Sequence, residues 1–307
     1  MEKTKFIWMD GEVLDWDKAT VHVMTHSLHY GMGAFEGIRA YKTPKGTAIF
    51  RMGDHMKRLF DSGKIMGVKI PFTPDELTAA TAALIKKNGL DECYIRPLVF
   101  IGDGQMGVFA PQNPVRVMIA VWKWGAYLGE EGLKKGIRAK VSSFTRHHPN
   151  ATMNKAKVTG NYVNSMLAKK EARDSGYDEA ILLDPVGLVA EGSGENLFLL
   201  RDGILTTPPL PNVLGGITRD TVLQLAGDLK IPVQTRNIAR DELYIADEAF
   251  FCGTAAEITP IRDVDGRPVG EGKRGPITEK IQQLYYATVR GEAAASPERI
   301  ARWLSHV

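Results

Sequence analysis

Lys157-Val158-Thr159-Gly160-Asn161-Tyr162 is followed at once by an amphipathic stretch that runs to Asp174 and meets Gly176, a residue suited to a left-handed helix cap. The spacing predicts a helix from about Asn161 to Asp174, with a lysine just ahead of its N-terminus and a phenol in its first turn. A lysine amine attacks an aldehyde only after losing its proton, and the positive end of a helix dipole disfavours the cation. Most lysines are solvated surface charges, and Lys155 shows how little a lysine says by itself. The following Gly160-Asn161-Tyr162 is what separates Lys157 from Lys155.

Downstream, Glu191-Gly192-Ser193-Gly194-Glu195-Asn196 puts a carboxylate at the end of the apolar strand Gly187–Glu191, beside two glycines that admit a closely approaching group. Ile217-Thr218 begins a second helix, and Gly253-Thr254-Ala255-Ala256 before Glu257 has the small residues of a helix start. Free amides at such N-termini bind phosphate. Arg58, in His55-Met56-Lys57-Arg58-Leu59, supplies a bidentate cation. An amine for an aldehyde, a carboxylate for a pyridine nitrogen and donors for a phosphate are what pyridoxal 5'-phosphate requires of a protein.

At 307 residues and 44% hydrophobic content the chain has room for two domains with buried cores, which excludes a disordered regulator. The net charge of +3, from 39 basic and 36 acidic residues without like-charge blocks, gives no reason to invoke nucleic acid or an anionic membrane. Charges interrupt the first thirty residues and there is no run of about eighteen apolar residues, so a soluble cytoplasmic protein is expected. Cys93 and Cys252 read as reduced, buried thiols.

The opening reads as a hairpin, Phe6–Met9 and Val13–Leu14 about Asp10-Gly11, then strands near Ile38–Tyr41 and Ala48–Phe50. Helices are predicted over Met52–Met66 and Pro74–Lys87, with apolar strands at Tyr94–Phe100 and Val115–Trp122. Residues 1–121 thus form a small α/β domain, 122–134 a glycine-rich interdomain linker, and 135–307 a larger α+β domain. The larger domain carries strands at Ile137–Ser143, Ala180–Asp184, Gly187–Glu191, Asn196–Leu200, Ile204–Thr207 and Ile261–Val264. A short closing helix opens at Ser296-Pro297-Glu298, with Ile300, Trp303 and Leu304 as its apolar stripe.

Gly102-Asp-Gly104-Gln-Met-Gly107 fits a dinucleotide glycine pattern, but the prolines at 111 and 114 rule out the helix that must follow. His22, His26, His29 and the pair His147-His148 lack partners at metal-ligand spacing, so no metal is expected.

Taken in order, Tyr30-Gly-Met-Gly-Ala-Phe35-Glu-Gly37-Ile-Arg39, His55-Met-Lys-Arg58-Leu, Tyr94-Ile-Arg96-Pro, Lys157-x-x-Gly-Asn-Tyr162, Glu191-Gly-Ser-Gly-Glu-Asn196-Leu-Phe, Gly216-Ile-Thr218-Arg-Asp and Gly253-Thr254-Ala-Ala-Glu-Ile-Thr-Pro resemble the branched-chain amino acid aminotransferases of fold type IV, from about Phe6 to about Arg290. The resemblance implies an α+β, two-domain fold whose larger domain has a β-barrel-like core. It implies reversible transfer of the amino group of L-leucine, L-isoleucine or L-valine to 2-oxoglutarate, with Lys157 holding pyridoxal 5'-phosphate as an internal aldimine and acting as general base. By the same carry-over Tyr162 bonds the ring oxygen, Glu191 the ring nitrogen, Arg58, Ile217, Thr218 and Thr254 the phosphate, and Leu214 packs near the ring. The substrate carboxylate falls to Tyr94 and the Thr254-Ala255 backbone. The side chain falls to Phe35, Gly37, Trp124 and Tyr127, with Tyr30, Met106 and Val108 from a neighbouring subunit, and Arg96 takes the distal carboxylate of glutamate. A homo-oligomer follows, a dimer at least, with a hexamer left open.

The fold's D-amino acid aminotransferases, R-selective amine transaminases and aminodeoxychorismate lyase share the lysine and glutamate. Tyr94-x-Arg96 with Met106-Gly107-Val108 points to the L-branched-chain group, and a D-amino acid aminotransferase is the alternative. A non-catalytic cofactor-binding protein would need neither Lys157 nor Glu191. Two departures stand out: Gly215-Gly216, where relatives often carry proline before the glycine, predicts a looser phosphate turn, and Phe109-Ala110 predicts a phenyl ring near the entrance that favours aromatic substrates.

Overall fold

The structure, a computed structural model, describes residues 2–125, 128–292 and 297–307. Strands β1 (Phe6–Met9) and β2 (Glu12–Asp15) pair across Asp10 and Gly11, whose φ angles of 50° and 100° make the two-residue turn a hairpin needs. A short helix α1 (His26–Tyr30) leads to β3 (Gly33–Phe35), β4 (Ile38–Thr43) and β5 (Gly46–Phe50), then to helices α2 (Met52–Ile65) and α3 (Pro74–Asn88), and to β6 (Cys93–Ile101) and β7 (Val115–Trp122). The start of α3 is sharp because Thr73 and Glu76 cap each other reciprocally and Pro74 occupies the first turn.

Alternation along β6 and β7 decides what this first sheet does. Ile95, Val99, Val117, Ile119 and Val121 pack beneath Met56, Leu59, Leu77 and Leu84 of the two helices. Their neighbours Tyr94, Arg96, Leu98 and Met118 take the opposite face, which lines a cavity.

After helix α4 (Glu130–Lys135) the chain forms β8 (Ile137–Thr145), α5 (Pro149–Thr152), α6 (Tyr162–Asp174), β9 (Glu179–Leu183), β10 (Val189–Gly192), β11 (Asn196–Arg201) and β12 (Ile204–Thr207). Helix α7 (Ile217–Asp228), β13 (Val233–Thr235), β14 (Glu248–Gly253), β15 (Glu257–Val264), β16 (Arg267–Pro268) and helix α8 (Pro276–Val289) follow. In the order β10-β9-β8-β15-β14-β11, closed by the pairing of β10 with β11, six strands make a barrel. Its interior holds Val141, Ile181, Leu197, Leu199, Phe251 and Ile261. The α+β fold with a barrel-like core is therefore as the sequence predicts. A third cluster joins the sheets: Tyr41 and Phe50 of the first meet Phe198, Phe250 and Ile258 of the second, with Tyr285 and Trp303 between them.

Three expectations need correction. Helix α9 (Pro297–Trp303) ends at Trp303, and Leu304 belongs to a last strand, β17 (Leu304–His306), which pairs with β5 and so returns to the first sheet. The free edge of β5 outcompetes one more helical turn, and the predicted cap Ser296 lies outside the described residues. Gly253 to Glu257 is a hairpin turn between β14 and β15, because the flanking β-branched and aromatic residues pair as strands instead of starting a helix. Lys157 is not adjacent to α6 either: a 3-10 turn, Thr159–Asn161, intervenes. No helix among the described residues is long and apolar enough to cross a membrane.

Candidate active site

A cavity of about 500 Å³ lies where the outer face of the first sheet meets the rim of the barrel, and Lys157 is on its wall. The lysine is held by its backbone, its N–H donating to Ser62 Oγ at 3.0 Å and its carbonyl accepting from Phe35 N at 3.2 Å. Val158 bridges to Ala34 and Gly160 N donates to Gly31 O, so the segment before α6 runs against β3 as an added strand. At Gly160 the backbones come so close that a Cβ would press on Gly31 at 3.1 Å, which explains the glycine. The amine is left pointing at Tyr162, Nζ to Oη 2.5 Å, and the two side chains flank the Phe35 ring. Lys155, in contrast, is exposed and donates to the Leu210 carbonyl at 2.6 Å.

Glu191, at the barrel rim, is buried. Its Oε2 accepts from Asn196 Nδ2 and Leu214 N, both at 3.2 Å, while Oε1 lies 2.9 Å from Arg146 Nε. That last contact is an ion pair without hydrogen-bond alignment, because Arg146 Nε has no acceptor in line. Burial pushes the Glu191 carboxyl above its ordinary pKa, and the Arg146 charge opposes the shift. A carboxyl with one oxygen fixed and the other not saturated by donors suits a cationic ring N–H.

The third corner is the start of α7. Ile217 and Thr218 line the cavity, and as the first helical residues their amides have no partner within the helix. Gly216 precedes them because a Cβ there would collide with the Asn196 amide. Arg58 donates through Nη1 to Gly215 O at 2.9 Å, and its Nε and Nη2 form a fork on Glu36 at 2.8 and 2.7 Å. Arg51, at the head of α2, binds Asp220 at 2.5 Å and the Ile217 carbonyl at 3.2 Å, fixing α2 against α7. The Gly215-Gly216 turn is thus tied on several sides, contrary to the looseness expected of two glycines. Amine, carboxyl and unpaired amides share one cavity, which fits pyridoxal 5'-phosphate.

On the sheet side, Arg96 lies 4.5 Å over the Phe35 ring, with Nε on the Glu36 carbonyl at 3.0 Å and Nη2 on Tyr94 Oη at 3.4 Å. Tyr94 packs against Trp124 at 4.7 Å, and Gly37 has no Cβ to strike the Tyr94 hydroxyl. Thr254, Ala255 and Leu214 complete the wall.

An amino-transferase class IV family model matches residues 33–264. The chain belongs to the class IV aminotransferases. It is 56% identical to the branched-chain-amino-acid aminotransferase of Pseudomonas aeruginosa over 292 residues, 95% of each chain. The crystal structure of the Escherichia coli branched-chain amino acid aminotransferase superposes with a TM-score of 0.96 at 48% identity, covering 99% of both chains. A further branched-chain amino acid aminotransferase, solved with pyridoxamine 5'-phosphate, superposes with a TM-score of 0.95 at 48% identity, covering 100% of this chain and 99% of that one.

Not every expected residue reaches the cavity of this class IV aminotransferase. Tyr30, Met106 and Val108 do not line it; they stand exposed together, with Tyr30 Oη accepting from Gly107 N at 3.0 Å. Phe109 is 82% exposed and also off the wall, so its ring does not narrow the entrance within one chain. Tyr127 lies outside the described residues. Arg146, Leu98, Met118 and Glu195 line the cavity without having been expected there. The alternation of β6 was the available signal for Leu98, which follows Tyr94 and Arg96 at strand spacing.

Proposed function

We propose that this class IV aminotransferase moves the amino group of L-leucine, L-isoleucine or L-valine to 2-oxoglutarate, as a cytoplasmic enzyme that uses pyridoxal 5'-phosphate. The observation that carries the reading is the 2.5 Å contact between Lys157 and Tyr162 in the cavity that also holds buried Glu191 and the start of α7. The relatives' branched-chain names, and the pyridoxamine 5'-phosphate bound in one of the solved relatives, support it.

When bound, the cofactor supplies an aldehyde for the amino group and a ring that draws electrons from the substrate's Cα. Lys157 would hold it and take the proton from Cα, with Tyr162 Oη beside Nζ to orient the amine. Glu191 would take the ring nitrogen, and its raised proton affinity would favour a shared proton there. Arg58, Ile217, Thr218 and Thr254 would hold the phosphate, with Leu214 beside the ring; all five line the cavity. Tyr94 with the Thr254-Ala255 turn binds the α-carboxylate, while Phe35, Gly37 and Trp124 surround an aliphatic side chain. Arg96, already stacked over Phe35, has guanidinium N–H groups left for the second carboxylate of glutamate.

Tyr30, Met106 and Val108 act across a subunit boundary in this reading, so the enzyme works as a homodimer at least. Their exposure, with Tyr30 hydrogen-bonded to the Gly107 backbone between Met106 and Val108, supports that. Residues 1–121 and 135–307 are taken as the two domains, joined by 122–134. Assaying L-leucine and D-alanine separately with 2-oxoglutarate tests the substrate: activity on leucine is expected, and activity on D-alanine alone sinks the assignment. Borohydride reduction should fix a yellow chromophore to the peptide carrying Lys157; fixation elsewhere refutes its role.

A further inference from the structure

We propose that Glu36 is a positioning residue for the phosphate end of the site, presetting the Arg58 guanidinium and, through it, the Gly215–Thr218 turn. The inference rests on the reading of Arg58 and α7 as the phosphate cradle.

Glu36 sits between β3 and β4 with no exposed surface, and both its oxygens are occupied. Oε1 accepts from Arg58 Nε at 2.8 Å, and Oε2 accepts from Arg58 Nη2 and from His55 Nδ1, each at 2.7 Å. His55 and Arg58 are three residues apart, so one face of α2 grips the carboxylate. The Glu36 backbone is fixed as well, its N–H on Pro97 O at 3.0 Å and its carbonyl accepting from Arg96 Nε at 3.0 Å. The fork uses the edge of the guanidinium that carries Nε and Nη2, and Nη1 reaches Gly215 O at 2.9 Å, one residue before the cap of α7. A long flexible cation is thereby held in one orientation before any ligand arrives.

Charge alone argues against such a partner. A carboxylate on Arg58 cancels the cation that a phosphate dianion would seek, and burial in the absence of an ion pair would be expected to neutralise it. It stays ionised instead: burial pushes its pKa up, but the Arg58 charge and hydrogen bonds outweigh that. Geometry is therefore what Glu36 contributes, and the two effects predict opposite signs. If net charge governs phosphate binding, Glu36→Gln tightens it; if positioning governs, Glu36→Gln weakens it.

The test compares Kd values of the cofactor-depleted full chain for pyridoxamine 5'-phosphate and for pyridoxamine, followed by quenching of tryptophan fluorescence. The wild type should favour the phosphorylated ligand, and a wild type that does not overturns the cradle reading and this proposal with it. Where the wild type does discriminate, Glu36→Gln should weaken pyridoxamine 5'-phosphate about ten- to a hundredfold and leave pyridoxamine unchanged. Equal or tighter binding of the phosphorylated ligand, or equal weakening of both, overturns the role of Glu36 alone. Should Glu36→Gln fail to fold with the part-buried Arg58 deprived of its carboxylate, the pair Arg58→Met and Glu36→Gln/Arg58→Met decides. Matching phosphate discrimination in those two is expected, and a further loss in the double variant refutes action through Arg58.

Discussion

Glu36, behind the first sheet's face of the cavity, and Glu195, in the β10–β11 turn of the barrel, are both buried carboxyls, yet they differ in charge preference. Burial raises the pKa of each. At Glu36 the fork from Arg58 and the His55 hydrogen bond outweigh it and hold the group at about 2. At Glu195 the neighbouring Glu179 carboxyl adds to burial, Lys169 only partly offsets them, and the group is pushed up to about 8. Depth does not decide ionisation; the nearest partner does. Glu191 lies between the two cases, raised by burial and restrained by Arg146. The α2–α7 side of the cavity, read above as the phosphate end, is thus built on fixed, compensated charge, whereas the barrel rim, read as the ring end, is built on carboxyls that hold protons readily.

The largest effect that would sharpen this contrast is at the lysine between the two ends. Lys157→Ala should lower leucine turnover by about 10³-fold or more, with the affinity for pyridoxamine 5'-phosphate largely kept and Lys155→Ala far milder. Appreciable turnover in steady-state assays of the Lys157 variant would break the assignment. At the ring end, Glu191→Gln should leave cofactor bound, seen in its absorbance, but slow turnover by about 10²-fold; an unaltered rate would refute the electron-sink role.

Acid titration probes the compensated end. The folded pKa of Glu36 lies below its ordinary 4.5, so the stability from its pairing is full above that pH and is lost as the pH falls toward about 2. The loss is roughly 3 kcal/mol, read as a wild-type stability decline on acidification that is much smaller in Glu36→Gln. Parallel pH profiles would contradict it. An effect of opposite sign is expected at Glu195. Its folded pKa lies above 4.5, so its contribution is full below that pH and is lost as the pH rises toward about 8. Glu195→Gln should therefore gain stability relative to wild type as the pH rises from 5 to 8. Chemical denaturation at the two pH values that shows no such gain would contradict the raised proton affinity of Glu195.

Residues close in sequence were the legible ones. Lys157 and Tyr162 are five apart, so local pattern sufficed to read them together, and Glu191 stood out as a carboxylate at the end of an apolar strand beside two glycines. Helices α2, α3 and α6 and the hairpin β1–β2 were equally readable from periodicity and turn residues. Arg146 was hidden because its partner Glu191 is 45 positions away, and nothing in Thr145-Arg146-His147 announces a buried ion pair. Glu36 sat inside a quoted motif, but its function depends on α2 folding back onto it. The closure of the barrel through β8–β15 and β11–β14 and the return of β17 rest on long-range pairing, which periodicity does not encode; the β14–β15 turn is local, but its small residues resemble a helix start.

The return of β17 to β5 has a consequence for synthesis. Residues 46–50 leave the ribosome long before residues 304–306, and at about 5–20 residues per second the interval is roughly ten to fifty seconds. Throughout it the rim of β5 exposes unpaired backbone, and Phe50 lacks its edge contact with Trp303. The nascent chain is thus open to sticking to a neighbour at the place that residues 304–306 later seal.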